Sequence, residues 1–438
     1  MKKYLNLVIF TLILLYSCTK EKKNPIEIET PKDSLQISLK SVSHTTIVLR
    51  LKTTANNSDC ELALTRTSAG EEVPIIIMSL IQSDTTILDN NNNKGLKLNT
   101  EYSYRAKLIN KNNRELLTES NIVIAKTKNA VGQEFSWEEY SVGGFWGGDM
   151  FDDIWGLDEN NVYMSGKVTV DSVAWGVIKW NGSGFEYLSK IGKVGIYGFS
   201  ENDIWSAYGT VEHYNGESWK RLDGYSKNHQ GYPLDTIFWN NRGYHAIWGS
   251  NSKNVYFVGQ SDNIVYWDGE KSHEMFGSKN INLTDIHGYD ENFILTVGTG
   301  NLPSTALLYK GNGWEKVKGL DYNKLYYGCY VVSPNEYYIT GGKVYRNYNN
   351  RWNVVVGDSL GLKKNINGDP ETGELVVTGH VNTILHWNGV KWKNIGMTLP
   401  KPVARNNFIA SYIKDNKIFV VGTDGPHAKL FIGTRKTE

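Results

Sequence analysis

His213–Leu222 reads HYNGESWKRL, and His386–Ile395 reads HWNGVKWKNI. In both, Asn-Gly separates a run ending in an aromatic residue from a run opening on, or close to, Trp. Asn-Gly between two such runs is a strong hairpin signal, because a type I′ turn needs φ > 0 at both central residues. The phrase predicts two antiparallel strands joined at Asn215-Gly216 and again at Asn388-Gly389. Variants of it occur as IKWNGSGFEYL, VYWDGEKSHEM and LLYKGNGWEKV. Ahead of these stand DIWGLDENNVYMSG, AIWGSNSKNVYFVG and DIHGYDENFILTVG, each an I-[WYH]-G phrase followed by an apolar run that closes on Gly. That closing Gly falls at positions 166, 209, 259, 298, 341, 379 and 422, a spacing of about 43 residues.

No period of 3.6 runs through these units; each offers four short strands, the content of a propeller blade. Residues 131–438 are therefore expected to form a seven-bladed β-propeller. The seventh unit stops at AKLFIGTRKTE without a fourth strand, while FSWEEYSVG (Phe135–Gly143) lies ahead of the first unit and matches the outer-strand phrase. Trp137–Val142 is expected to complete the last blade and close the ring, removing two exposed sheet edges. Within the repeat, Trp219, Trp314 and Trp392 should pack between blades. His213, His386 and His287 occupy repeat positions and read as packing residues. The Gly of I-W-G should end or kink a crowded inner strand. The repeat resembles the bacterial propellers with Trp-Gly-Ser and Asn-Gly-x-x-Trp units, and more loosely the sialidase-like and photosystem-assembly-factor propellers. This resemblance carries a fold, and activity must be argued from a site.

Residues 33–128 form a second region. SLQISLKSV, TTIVLRLKT and CELALTRT alternate apolar and polar residues, which predicts half-buried strands and a sandwich. GLKLNTEYSYRAKLI resembles the corner of fibronectin type III domains, with Leu96, Thr100 and Tyr102 on the pattern and Leu98 in place of the usual Pro. The resemblance implies that Tyr102 puts its ring in the core and its hydroxyl on nearby backbone. The whole chain is thus expected to be all-β, an Ig or fibronectin type III-like sandwich followed by the propeller.

The chain opens MKKYLNLVIFTLILLYSC. Lys2 and Lys3 precede the apolar run Leu5–Tyr16, which is short for a bilayer span and right for a signal peptide. Leu15-Tyr16-Ser17-Cys18 resembles the lipobox of bacterial lipoproteins. That resemblance implies removal of residues 1–17, lipidation of Cys18 and stable anchoring through more than one acyl chain. Residues 18–32 read as a polar tether. Thr19 in place of Asp implies sorting to the outer membrane, facing either the periplasm or the surface.

Lys and Arg number 47 against 46 Asp and Glu, so no basic face for nucleic acid is indicated. Cys60 and Cys329, the cysteines left beside Cys18, make neither a disulfide framework nor a metal spacing and are expected to be core thiols. The chain has no HExxH, no P-loop and no sialidase arginine triad. Asp149, Asp152 and Asp153, and likewise Asn365 to Glu371, lack calcium-loop spacing and read as strand and turn residues. No catalytic residue, metal or cofactor is expected, and the chain is expected to be a monomer.

Three functions compete: a lipid-anchored binding module for a glycan or protein, an envelope assembly or scaffold factor, and a glycan-active hydrolase or lyase. The first is preferred. Its ligand should lie on the face bearing the b–c and d–a connections, which vary most in length. The candidates there are Trp146, Asp149, Asp171, Trp175, His229, Tyr232, Trp239, Arg242, His380, Asp424 and His427. Aromatic planes beside amides and acids suit sugar rings, and they equally hold long loops in place.

Overall fold

The computed structural model describes residues 34–436 apart from 55–58, 80–82, 93, 145–147, 191, 210, 223–242, 261–262, 277–280, 301–302, 400–406 and 424–425. The described chain is all-β, and its one helical element is the short turn Gly396–Thr398. It divides into two compact units. One holds the residues up to Ser38, Leu49–Ile87 and Ser103–Val123; the other holds Leu39–Val48, Leu88–Tyr102 and Ile124–Glu438.

Ahead of residue 128, Leu35–Val42 pairs with Ile47–Thr53, which pairs with Asp84–Asp89. A second sheet orders Glu71–Ser79, Cys60–Ser68, Glu101–Asn110 and Leu116–Glu119, with Val123–Lys126 also on Glu101–Asn110. Burial alternates along Glu101–Asn110, where Tyr102, Tyr104, Ala106 and Leu108 face inward. The Tyr102 ring is buried and its hydroxyl accepts the Lys97 N–H at 2.9 Å, so a polar tip is satisfied inside an apolar core.

From Met150 onward the chain forms four-stranded antiparallel sheets in sequence order. The first comprises Met150–Asp158, Asn161–Val170, Val173–Trp180 and Phe185–Lys190. Later sheets begin on the inner strands Gly195–Ser200, Tyr244–Asn251, Asn282–Asp290, Tyr326–Ser333 and Lys363–Asp369. The last contains Asn407–Lys414, Lys417–Thr423 and Ala428–Arg435, and its fourth strand is Phe135–Val142, in register from Ala428↔Val142 to Arg435↔Phe135. Seven such sheets result.

The joint at this closing strand is polar inside. Glu374 and His386 are fully buried and bonded at 2.7 Å, Arg435 also reaches Glu374, and Gln133 Nε2 donates to the His386 carbonyl at 2.8 Å. Such groups are costly to bury singly and hold register when mutually satisfied. Cys60 and Cys329 are buried thiols in no disulfide.

The hairpins differ from the type I′ expectation. Gly182, Gly216, Gly269 and Gly389 are left-handed, with φ of 91°, 92°, 97° and 92°, but the preceding Asn or Asp is not. Instead its side chain turns the backbone: Asn215 Oδ1 accepts the N–H groups of Glu217 and Ser218, and Asp268 Oδ1 those of Glu270 and Lys271. The loop is four residues long, and the Asx oxygen replaces the missing backbone partner. Paired left-handed residues occur elsewhere, at Asp171-Ser172, Asn349-Asn350 and Val381-Asn382.

The Gly of I-W-G makes room for the preceding sheet's ring. A Cβ on Gly198 would lie 2.7 Å from the Trp155 ring, and one on Gly288 would overlap Trp248. The contact repeats with chemistry fitted to each residue. Tyr197 donates to the Gly249 carbonyl at 3.2 Å, Val331 N–H donates to His287 Nδ1 at 3.1 Å, and Tyr330 donates to the Gly368 carbonyl at 3.1 Å. Asn367 donates to the Ser411 carbonyl at 2.8 Å, and the Tyr412 ring fills the space over Gly156. One side chain per inner strand is thereby locked to the next sheet, and the seventh lock returns to the first sheet.

Candidate functional site: the centre of the inner strands

The other end of each inner strand behaves differently. In six sheets the strand gains one residue there: Asp152, His245, Thr284, Tyr327, Lys364 and Ile409 each sit between registered pairs as a bulge. A bulge re-aims the extra side chain. All six line one cavity of about 190 Å3. Because each bulge lies at the start of its strand, this cavity opens toward the d–a connections. Opposite each bulge stands the period-marking Gly of the second strand. A Cβ there would overlap a backbone carbonyl oxygen, that of Met150 for Gly166, Gly243 for Gly259 and Leu325 for Gly341.

One residue deeper lie Asp153, Asp285 and Asn365. Asp153 accepts the N–H of Ile154 (2.9 Å) and, from the next sheet, of Ile196 (3.1 Å). Asp285 likewise accepts from Ile286 and Cys329, both at 2.8 Å, and Asn365 Oδ1 accepts from Ser411 at 3.2 Å. In each case the donor on the next sheet follows a small residue, Gly195, Gly328 or Ala410. Burial pushes the Asp153 carboxyl up to about 7 and Asp285 to about 8, against the pull of the N–H donors. Burial also raises Asp152 to about 7, with Lys364 pulling the other way. His245 is lowered by burial; its Nδ1–H donates to the Leu283 carbonyl at 2.9 Å, which leaves Nε2 as an acceptor.

These shifts predict a pH dependence of stability. A raised carboxyl keeps its proton in the folded chain and loses it when unfolded, so its stabilisation is full below pH about 4 and vanishes as pH rises through 7 to 8. Histidines held low by burial, such as His287 at about 3, act oppositely and only below pH about 6.5. Above that value the carboxyls act alone. Calorimetry should show Tm falling by about 3 °C or more between pH 6.5 and 8.5. Asp285→Asn, which copies Asn365, should shrink the fall; an unchanged pH profile would count against the assignment.

Of the residues expected to bind a ligand, the structure describes five. Asp149 is buried, and its carboxylate accepts the Gly144 and Thr169 N–H groups. His427 stands beside it, with Nδ1 on the Gly143 carbonyl at 3.2 Å. Both brace the backbone between the closing strand and the first inner strand. Asp171 is exposed at the tip of a tight b–c hairpin, and Trp175 lies on the same hairpin against Tyr187, with ring centroids 5.4 Å apart. His380 precedes the left-handed Val381-Asn382 pair, and its Nε2 is buried without a partner. Trp146, His229, Tyr232, Trp239, Arg242 and Asp424, and the lipidation candidate Cys18, lie outside the described residues. Sequence reading passed over Asp285, His245, Tyr327 and Lys364, whose only common signal is a place just before or within the I-W-G phrase. Among the described residues no cluster of three or more His, Cys, Asp or Glu could hold a metal ion.

No protein-family model matches the chain, and no curated protein matches it in sequence. Solved structures do. YCF48 bound to D1 peptide aligns with a TM-score of 0.50 at 13% identity, covering 70% of this chain and 97% of that one. The WD40 β-propeller domain of Doa1 aligns with a TM-score of 0.50 at 15% identity, covering 69% and 98%. The extracellular domain of a hybrid two-component system from B. thetaiotaomicron aligns with a TM-score of 0.50 at 10% identity, covering 70% of this chain and 40% of that one. At such identities the likeness bears on fold alone, and it agrees with the repeated four-stranded sheets: the chain carries a β-propeller.

Proposed function

We propose that this is a non-catalytic binding protein of the bacterial cell envelope. In this reading Cys18 bears the lipid, a fibronectin type III-like domain stands as a spacer, and a seven-bladed propeller presents a ligand face. One observation carries the choice of face. At one end of the inner strands the side chains are committed to neighbouring sheets. At the other end bulges bring Asp152, Tyr327 and Lys364 to line a cavity, and the Asp152 and Lys364 side chains have no hydrogen-bonding or ion-pair partner among the described residues. Polar groups held out of bonding inside a concave site are what a ligand completes. The b–c hairpins with Asp171, Trp175 and His380 border the same end, and Trp146 and Trp239, which lie outside the described residues, are proposed as further rim residues.

A glycan or a protein is the partner this face suits. The YCF48 propeller was solved with a peptide, so peptides are tested beside glycans. The purified full chain is screened on glycan and peptide arrays, and the captured partner is then titrated against Trp146→Ala, Trp175→Ala and Trp239→Ala. Each should weaken binding about tenfold. Val390→Asp, an exposed c–d turn residue at the opposite face, should not. The reverse pattern would move the site to the other face. Fatty-acid labelling of wild type that is lost in Cys18→Ala reports the anchor.

A further inference from the structure

The central cavity holds a split ion pair. Lys364 enters from the sixth sheet and Asp152 from the first, with Ile409 of the seventh sheet between them. Their charges sense each other, since Lys364 opposes the rise of the Asp152 carboxyl, yet they form no ion pair and no hydrogen bond with any described residue. Both are half-buried, and both are fixed to bulged backbone rather than to a mobile loop. A charge drawn from water without a partner is costly, and flexible side chains that could close on each other normally do.

The rest of the cavity is mostly polar. Beside Lys364 in the sixth sheet, Asn365 uses Oδ1 for Ser411 and has Nδ2 left to donate, and Tyr327 of the fifth sheet lines the same cavity. Asp153 follows Asp152 in the first sheet, Asp285 lies in the fourth, and His245 of the third offers Nε2 as an acceptor. The volume, about 190 Å3, exceeds the roughly 150 Å3 that accommodates a benzene-sized ligand and falls short of the roughly 300 Å3 where drug-sized sites begin.

We propose that the centre of the propeller is a binding site for a small zwitterion, an amino acid or a close analogue. Its carboxylate is held by Lys364, Asn365 and Tyr327, and its ammonium by Asp152. This rests on the reading above only in taking the bulged end as the ligand end. A macromolecule captured at the rim without any zwitterion bound would sink this inference alone, and the converse would sink only the rim.

The test is calorimetric titration of the purified full chain with glycine, β-alanine and 4-aminobutyrate, which space the two charges progressively. Ethylamine and propionate serve as single-charge probes. At least one zwitterion should bind with Kd below about 1 mM and raise Tm. Lys364→Met and Asp152→Asn should each weaken it about tenfold or more without lowering the ligand-free Tm, because neither side chain holds the fold. Absence of binding by all three zwitterions at about 10 mM overturns the proposal. So does equal binding of ethylamine or propionate, or binding that survives both substitutions. A lowered ligand-free Tm in both variants would make the pair structural and also overturn it.

Discussion

A chain that begins at Asn129 should melt as a closed ring, and one that begins at Gly143 should not reach that state. The segment removed between them is the strand Phe135–Val142, registered along its whole length with Ala428–Arg435. Phe135 and Val142 are buried, Tyr140 lies 4.6 Å from the Trp180 ring of the first sheet, and Trp137 Nε1 donates to Thr398 at 3.0 Å. The two buried side chains alone contribute about 3–6 kcal/mol. Losing the strand also bares a sheet edge and uncovers the Arg435–Glu374–His386 joint. Against a total stability of about 5–15 kcal/mol the deletion is decisive. Circular dichroism melts of the two chains measure it, and Tm values within about 3 °C of each other would refute the role given to this strand.

Gly341→Ala should cost about 3 kcal/mol or more, although it adds a single methyl group. The new Cβ would overlap the Leu325 carbonyl oxygen, which is backbone and cannot rotate away. Relief requires undoing the bulge at Tyr327 and shifting every pair beyond it. Gly209 marks the same place in the repeat, but a Cβ there meets nothing within 4 Å, and its sheet begins at Gly195 without the bulge. Gly209→Ala should therefore change stability by no more than about 0.5 kcal/mol. Urea unfolding of the two variants gives the comparison. Equal costs would show that the glycine is retained for some reason other than the bulge.

The sequence made the strands legible because the hairpin phrases repeat a local chemistry, Asx-Gly then Trp, that a short window contains. It also placed the closing strand and the Tyr102 hydroxyl, since each is one side chain answering one nearby backbone group. The type I′ reading failed because an Asx oxygen can do the work of a left-handed residue, and composition does not tell the two apart. The cavity was hidden for a different reason. Strict alternation assigns one face to every second residue, and a bulge breaks that count. The residues it selects, Asp152, His245, Thr284, Tyr327, Lys364 and Ile409, share no chemical type. Only register unites them. Asp149 and His427 drew attention as polar residues at a junction, and the structure gives them backbone groups to hold.

The closing strand also has a history in time. It is made before every other strand of the propeller and its partner after them all, with Glu139 and Lys429 separated by 290 residues. At roughly 5–20 residues per second, it waits about fifteen seconds to a minute after leaving the ribosome before Ala428–Arg435 exists to receive it. Until then each completed sheet can rest on its predecessor, but the circle cannot lock, and the strand ahead of the first sheet travels unpaired. A polypeptide built this way stays threadable until its final residues are synthesised. In that interval its unpaired backbone is open to any free sheet edge it meets.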